Sequence, residues 1–439
     1  MTSVILPLAA TCLVVVFLFA GIPIAYALGI IGAAGLYITF GGGFLVATLQ
    51  GMPFSLASQF TFLIVPMFIL MGAICARTGI ITSLYNLFYV LTSRIRGGLY
   101  QATILSSAAF GAISGSTVVA ASVFSKVALP EMRRYGYNMS IAAGCIAAAG
   151  TLSAMIPPSL AMVIYGILTN ESIGALLLAG VIPGLLTMVC YLVGVRVMLL
   201  IRPHWAPPMQ VGNDAPRVRA TDISQVVPIA LLASLVIGGI YAGWFSPSAA
   251  GTVGAAGAIL ISLFTRKLTR PIVMSSILEA ITLSAALFSI IIAGMLFSRF
   301  LISTGVIREF SAFIIGAGLS AHEFMAIVVA IFLVVGTFVD GVSVLVIALP
   351  FVFPIAKQLG IDPIWLGVVV VKLIEIAAIT PPVGLNLFAV LGASNGQITS
   401  REMFVGVWPF ILVEFITLGF LFLVPGLATW IPDMMIRSG

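Results

Sequence analysis

Four short clusters in this 439-residue sequence carry oxygen donors, glycines and prolines in patterns that could replace the water around a small cation. In Gly111-Ala112-Ile113-Ser114-Gly115-Ser116-Thr117, three hydroxyl side chains sit among two glycines. A turn there would present backbone carbonyls and hydroxyl oxygens together, the ligand set a hard cation such as sodium needs as it dehydrates. Val339-Asp340-Gly341-Val342-Ser343 offers the same small residues with one carboxylate. Ile156-Pro157-Pro158-Ser159 and Thr380-Pro381-Pro382-Val383-Gly384-Leu385-Asn386 form the second pair. Consecutive prolines remove two amide donors and disfavour helix just before them, so carbonyls are left without helical partners. Those carbonyls can face a cation, and the helix that restarts beyond each Pro-Pro can point its positive end at an anion. Ser159, Thr380 and Asn386 add polar atoms around the gaps. Taken singly, each motif also has a structural explanation: prolines kink membrane helices, and Gly/Ser runs let helices approach closely.

The elements that must position these clusters belong in a bilayer. The composition is 61% hydrophobic and 7% charged, where globular domains carry about 25% charged residues. The 19 Lys+Arg and 13 Asp+Glu are too few to clothe a chain of this size in water. At about 20 residues per crossing, the length predicts ten to twelve membrane segments in one polytopic domain. Apolar stretches fall at about 4–29, 34–48, 57–76, 139–168, 173–201, 225–245, 248–265, 276–301, 364–392 and 403–430. The stretch from Leu6 to Leu28 reads as a retained helix and not a secretory signal, because no Lys or Arg precedes Arg77. At a charged bilayer-centre position the cost is about 2.5–3.5 kcal/mol, so Asp340 is expected to face protein or water.

Two regions, about 98–130 and 322–356, are too long for one simple span and too broken for two. They predict helical hairpins that enter the membrane and return, which needs backbone buried in protein or facing a watery cavity. An internal repeat supports this. A shift of 224 carries Pro130 to Pro354, Gly136 to Gly360, Asn138 to Asp362, Ser116 to Asp340 and Pro157-Pro158 to Pro381-Pro382. A shift of 226 carries Thr78-Gly79 to Thr304-Gly305, Gly180 to Gly406 and Pro183 to Pro409. The expected fold is therefore all-α and polytopic, with two repeats. Residues 1–201 hold the first hairpin and a broken helix at about 139–168; 202–224 is a cytoplasmic linker; 225–439 holds the second hairpin and a broken helix at about 364–392. Each repeat has five crossings, an odd number, so the second enters the membrane inverted relative to the first.

Charge placement fits that inversion. With the first hairpin opening to the cytoplasm, the inner loops and helix ends hold Arg77, Arg94, Arg96, Lys126, Arg133, Arg134, Arg196, Arg202, Arg217, Arg219, Arg266, Lys267, Arg270 and Arg401, which is 14 of the 19 basic residues. Arg299, Arg308, Lys357 and Arg437 fall near the outer face and Lys372 within a span, so the positive-inside rule puts both termini outside. The net charge of +6 thus has its origin in topology, and nucleic acid is not an expected partner. The chain contains no GxxxxGK[ST] loop, so no nucleotide is expected. His204 and His322 lie in polar connections too far apart for zinc chemistry, and no histidine stands near Ser114 to make it a nucleophile. Cys12, Cys75, Cys145 and Cys190 lie in apolar stretches without CxxC spacing and are expected to be packing thiols. Lys372 and Glu375, at i and i+3, predict a structural ion pair. Glu279 and Glu414 are expected at the membrane interface, as are Trp205, Trp244, Trp365, Trp408 and Trp430. Inverted halves, broken helices and small polar residues near midplane are the marks of a secondary transporter site.

At these residues the sequence resembles the large membrane subunit of tripartite ATP-independent periplasmic (TRAP) transporters. The likeness rests on Ser114-Gly115-Ser116, Pro157-Pro158-Ser159, Asp340-Gly341-x-Ser343 and Thr380-Pro381-Pro382-x-Gly384-x-Asn386, and spans essentially the whole chain. It implies a bacterial inner-membrane protein with an elevator mechanism, in which hairpins and broken helices carry sodium ions and an organic acid such as a dicarboxylate or sialic acid past a fixed scaffold. Ser114, Gly115, Ser116 and Thr117 with Pro157 and Ser159 would make one sodium site. Asp340, Gly341 and Ser343 with Thr380, Pro381 and Gly384 would make another, and substrate would lie between them against Ser116, Pro158, Ser159, Asp340, Pro382 and Asn386. The implied partners are a small four-helix membrane subunit, expected to be a separate chain, and a periplasmic substrate-binding protein. The alternatives are a self-sufficient sodium–anion symporter of the same superfamily and an uncoupled channel or scaffold.

Overall fold

The computed structural model describes residues 2–208 and 220–438. Twenty α-helices run through them: α1 (Thr2–Phe19), α2 (Ile24–Ala57), α3 (Ile64–Arg77), α4 (Ile80–Thr92), α5 (Gly98–Ser114), α6 (Thr117–Arg134), α7 (Met139–Met155), α8 (Leu160–Thr169), α9 (Ile173–Ala179) and α10 (Val181–Ile201), then α11 (Ala220–Tyr241), α12 (Pro247–Phe264), α13 (Arg270–Thr304), α14 (Val306–Gly316), α15 (Ala321–Gly336), α16 (Gly341–Gln358), α17 (Pro363–Ala378), α18 (Leu385–Ala393), α19 (Ser400–Leu423) and α20 (Gly426–Ser438). The middle of the expected linker, with Asp214, Pro216, Arg217 and Arg219, lies outside the described residues, as does the side chain of Arg437.

Seven of the described helical stretches are long and apolar enough to cross a membrane, and α7 with α8, bent by 42°, makes an eighth. That is fewer than the ten to twelve expected from length, because the chain invests residues in pieces that do not cross alone. α17 has 16 residues and α18 only 9. The first apolar stretch, expected as one helix over 4–29, divides at Gly21-Ile22-Pro23. Gly21 turns left-handed at φ 79°, and Pro23 caps α2, where its missing N–H costs nothing. α2 then runs on to Ala57 through a kink at Gly41, whose φ of 82° is non-helical. α4 and α14, short helices with an apolar stripe on one side, had no counterpart among the expected spans. Both start after a left-handed glycine, Gly79 at φ 75° and Gly305 at φ 77°.

Helix starts recur along the two halves. Asn138 caps α7 by accepting from the Ile141 N–H, and Asp362 caps α17 by accepting from the Trp365 N–H. α6 begins after Ser116 and α16 after Asp340. The two halves interlock through α7 and α19. A methyl group on Gly144 would overlap the Gly406 carbonyl, and one on Gly406 would overlap the Ser140 carbonyl, so two hydrogens in place of side chains set this backbone approach. α2 packs against α13 in the same way, with Gly32 against the Phe297 backbone and Gly35 under the Phe300 ring. Large apolar side chains on the outer faces, such as Phe54, Leu200, Phe264 and Leu423, are exposed, as a lipid-facing surface requires.

Candidate functional site

Each two-helix element ends in a tip, and each tip meets the break of its own half. α5 stops at Ser114, Gly115 takes the left-handed conformation at φ 59°, and α6 restarts at Thr117. A side chain on Gly115 would lie 2.5 Å from the Pro158 carbonyl oxygen, so the first tip is pressed against the first Pro-Pro break. In the second half the Gly384 N–H donates to the Thr337 carbonyl at 3.2 Å, tying the second break to the second tip. Pro157-Pro158 and Pro381-Pro382 are both cis.

The two tips share one cavity of about 360 Å³. Ser114, Gly115, Ser116 and Thr117 line it from the first tip, and Asp340 and Gly341 from the second. Leu160 and Ala161 of α8 and Leu385 of α18 bring the helix starts beyond both breaks to its wall, which α3 and α13 close on the far side through Gly72, Ala73, Glu279 and Leu283. Six of the sequence-predicted site residues therefore come together around one space. The Ser114 hydroxyl is buried there with no hydrogen-bond partner among the described residues. Asp340 caps α16: one carboxylate oxygen accepts from the Ser343 N–H at 3.1 Å and the other from the Ser343 hydroxyl.

The other predicted site residues stand behind this space and off its wall. Pro157 and Pro158 are buried and face α9 and α11 through Leu177 and Val236. Ser159 is fully buried and caps α8, its hydroxyl oxygen accepting from the Met162 N–H at 3.2 Å. Thr380 turns its hydroxyl back to the Ile376 carbonyl at 2.6 Å. Pro381 is half-buried and Pro382 exposed. Asn386 is fully buried and reaches across to the first half, donating to the Ala147 carbonyl of α7 at 3.2 Å, while its side-chain oxygen has no hydrogen-bond partner among the described residues.

Two acidic residues, Glu414 and Glu279, were expected at the interface and lie inside helices, and a third, Glu375, makes its expected pair and touches the cavity as well. Glu414 is not interfacial: it sits mid-way along α19, fully buried. There it pairs with Lys372 and accepts from the hydroxyls of Tyr191 and Thr151. What buries it is the pairing with Lys372 on another helix, which the apolar sequence around position 414 does not reveal. Glu279 lies well inside α13, pairs with Arg77 of α3 and lines the cavity. Glu375 forms the expected pair with Lys372 at 3.0 Å, but it also lines the cavity. Trp365, expected at the interface, is buried and donates to the Leu421 carbonyl at 2.9 Å. The cysteines are all free, with Cys75 and Cys145 buried, Cys190 half-buried and Cys12 exposed.

Two tips meeting two breaks around one space, mostly apolar with a few hydroxyls and carboxylates at its wall, is a transporter-like arrangement, and comparison with known proteins gives the lineage. The family model described as "Tripartite ATP-independent periplasmic transporter, DctM component" matches residues 11–427. The chain belongs to the DctM family. Among its relatives, the C4-dicarboxylate TRAP transporter large permease protein DctM of Vibrio cholerae is 30% identical over 96% of this chain and 96% of that protein. The protein of the same name from Pseudomonas aeruginosa is 33% identical over 83% of this chain and 84% of its own length. The sialic acid TRAP transporter permease protein SiaT of Haemophilus influenzae is 30% identical over 96% of this chain and 67% of that protein. In fold, this DctM-family chain is similar to the YdaH transporter of Alcanivorax borkumensis, with a TM-score of 0.57 and 14% identity, covering 97% of this chain and 98% of that one. The DctM-family chain is thus a multi-pass membrane protein of a transporter family, and not of an enzyme family.

Proposed function

We propose that this chain is the sodium-coupled transport subunit of a tripartite, binding-protein-dependent carrier for a small organic acid in the bacterial inner membrane. The observation that carries the reading is the shared cavity, where Ser114 to Thr117 of one tip and Asp340 and Gly341 of the other face one space. Hydroxyl and carbonyl oxygens at the tips suit a dehydrating sodium ion. The starts of α8 and α18 bring helix N-termini to the wall, which suits a carboxylate. Ser159 and Asn386 support the two breaks from behind, one by capping α8 and the other by reaching the Ala147 carbonyl.

In this reading the halves are inverted repeats with both termini periplasmic. α5 to α8 and α15 to α18 move as one body against a scaffold that includes α3 and α13, as in an elevator. A small four-helix membrane subunit and a periplasmic substrate-binding protein are its partners. The relatives named for C4-dicarboxylates and sialic acid point to the class of cargo.

The test is uptake into proteoliposomes, with succinate and a sialic acid as probes. The chain and its co-purified membrane partner are assayed with and without the binding protein, and with and without an inward sodium gradient. Uptake is expected only when both binding protein and gradient are present. Uptake without any binding protein would replace this reading with a self-sufficient symporter, and uptake indifferent to sodium would replace it with an uncoupled pathway.

A further inference from the structure

Behind the cavity lies a buried polar cluster for which the transport reading has no use. Lys372 of α17 is fully buried, as are Glu375 of the same helix and Glu414 of α19. The ammonium donates to Glu375 at 3.0 Å and to the Thr187 hydroxyl at 2.9 Å, and pairs with Glu414. Glu414 pairs with Lys372 through Oε2, and its Oε1 accepts from the Tyr191 hydroxyl of α10 and from the Thr151 hydroxyl of α7. Each of its oxygens therefore faces a cation or a hydroxyl.

Glu375 is equipped differently. One of its oxygens takes the single bond from Lys372, and the other, Oε1, is buried with no hydrogen-bond partner among the described residues. With both carboxylates ionised the cluster would carry one excess negative charge in a dry interior, where a lone charge neutralises itself instead of persisting. A metal ion fits Oε1 poorly, because a hard cation wants several oxygens around it and no cluster of three or more acidic, histidine or cysteine side chains suited to a metal is found among the described residues. A proton needs only the one oxygen. Glu375 also borders the cavity, with Ile374 and Ala378 of its own helix, although its carboxyl is itself covered.

We propose that Glu375 is a proton-binding site in the cavity wall, whose Oε1 carries a proton in this arrangement and exchanges it with cavity water during the transport cycle. The proton arrives from water and returns to it, and no other reactant takes part. The groups that set its charge are Lys372 on its own helix, Glu414 on α19, and Tyr191 and Cys190 on α10. Across the cavity stand Asp340 at the head of α16 and Glu279 on α13. Among the other helices packed on α17, α7 offers Cys145, α8 offers Tyr165, and α9 and α18 offer no titratable side chain; α15 has His322 and Glu323 only in its first turn, α19 Arg401 and Glu402 in its first turn, α16 Lys357 in its last, and α20 Asp433 and Arg437, the side chain of Arg437 lying outside the described residues. Among the described residues the one ion pair of Glu375 is with Lys372.

Infrared difference spectroscopy on the full chain in lipid tests the site directly. A protonated-carboxyl C=O band is expected that shifts in D₂O and is absent from Glu375→Gln. Glu414→Gln should remove the same band while Glu375 is still present, because Lys372 then balances Glu375 as an anion. A band that survives in both variants belongs to another acid and overturns the proposal, as does its absence from the wild-type chain. In proteoliposomes, uptake of succinate by the wild type should vary with pH by up to about tenfold per unit, and Glu375→Gln should flatten that profile; coincident profiles would also overturn it. The uptake arm rests on the transport reading and the infrared arm does not, so failure of one is distinguishable from failure of the other.

Discussion

The two Pro-Pro breaks lie 224 residues apart at Pro157 and Pro381, and the chain finishes them in different ways. The first is short and sealed: Pro157, Pro158 and Ser159 are buried, Ser159 caps the helix that follows, and the carbonyl of Pro158 bears on Gly115 of the tip. The second spans 379–384 and is more open. Pro382 is exposed, and α18 starts at Gly384, φ 54°, with no side-chain cap. What holds it is reach: Gly384 to the Thr337 carbonyl of the second tip, and Asn386 to the Ala147 carbonyl of the other half. The tips differ in the opposite sense. At the first, the Ser114 hydroxyl is unpartnered and Ser116 makes no side-chain cap; at the second, Asp340 is engaged by its own helix through Ser343. Free oxygens at one tip and a committed carboxylate at the other mean that the pseudo-equivalent positions Ser116 and Asp340 do different work.

The sharpest way to break this comparison is at the two left-handed glycines. Gly115→Val adds a β-branched side chain at φ 59° against a backbone carbonyl that cannot move without opening the first break. The expected loss is about 3–5 kcal/mol, from strain plus overpacking, and should appear as little monodisperse protein in detergent. Gly384→Ala meets neighbours at 3.0 Å and should cost less, about 1–3 kcal/mol. Equal thermal shifts in the two variants would mean that the first break is no more tightly sealed than the second.

Next in size are the tips. Asp340→Asn keeps an N-cap but removes the charge at the cavity. Its melting temperature should stay near that of the wild type, while sodium-driven uptake falls by about tenfold or more. Ser116→Ala removes one neutral oxygen from a set of several and should cost less uptake. The reverse order would make the neutral oxygens of the first tip more important to uptake than the carboxylate of the second. Asn386→Leu tests the reach of the second break. Deleting the bond to Ala147 leaves a buried carbonyl without that donor, for an expected loss of about 1–3 kcal/mol in thermal unfolding, and no loss would show that α18 is seated by apolar packing alone.

Much of this was legible in the sequence, for physical reasons that also mark the limit. Pro-Pro pairs, glycines at tips and Asn138 or Asp362 at helix starts are backbone punctuation, and local chemistry forces their effect wherever the chain goes. The helix ends at Ser114, Thr117 and Gly341 accordingly fall where those residues stand. Long-range partners are a different matter. Whether Glu414 is interfacial or buried depends on Lys372, 42 positions away and on another helix, and apolar sequence around an acid does not distinguish the two. Hydropathy also passes over α4 and α14, because helices with one polar side and few residues look like loops in an average over a full span. The expected first helix failed at Pro23, a residue whose effect could have been read locally.

The smallest predicted effect separates a cap from an ion ligand at the sealed break. Ser159 is predicted by sequence to bind sodium, yet its hydroxyl oxygen accepts from the Met162 N–H and lies off the cavity wall. As a cap alone, Ser159→Ala should cost about 1 kcal/mol, whereas Ser159→Gly, which leaves the start of α8 open to other donors and acceptors, should cost only a few tenths. Both should leave the sodium concentration for half-maximal uptake where it is in the wild type. If instead both variants raise that concentration alike while their melting temperatures barely move, the hydroxyl meets the ion in some state of the cycle. The first break would then be a second cation-binding wall, and the contrast between a sealed break and an open one would hold only for the conformation described.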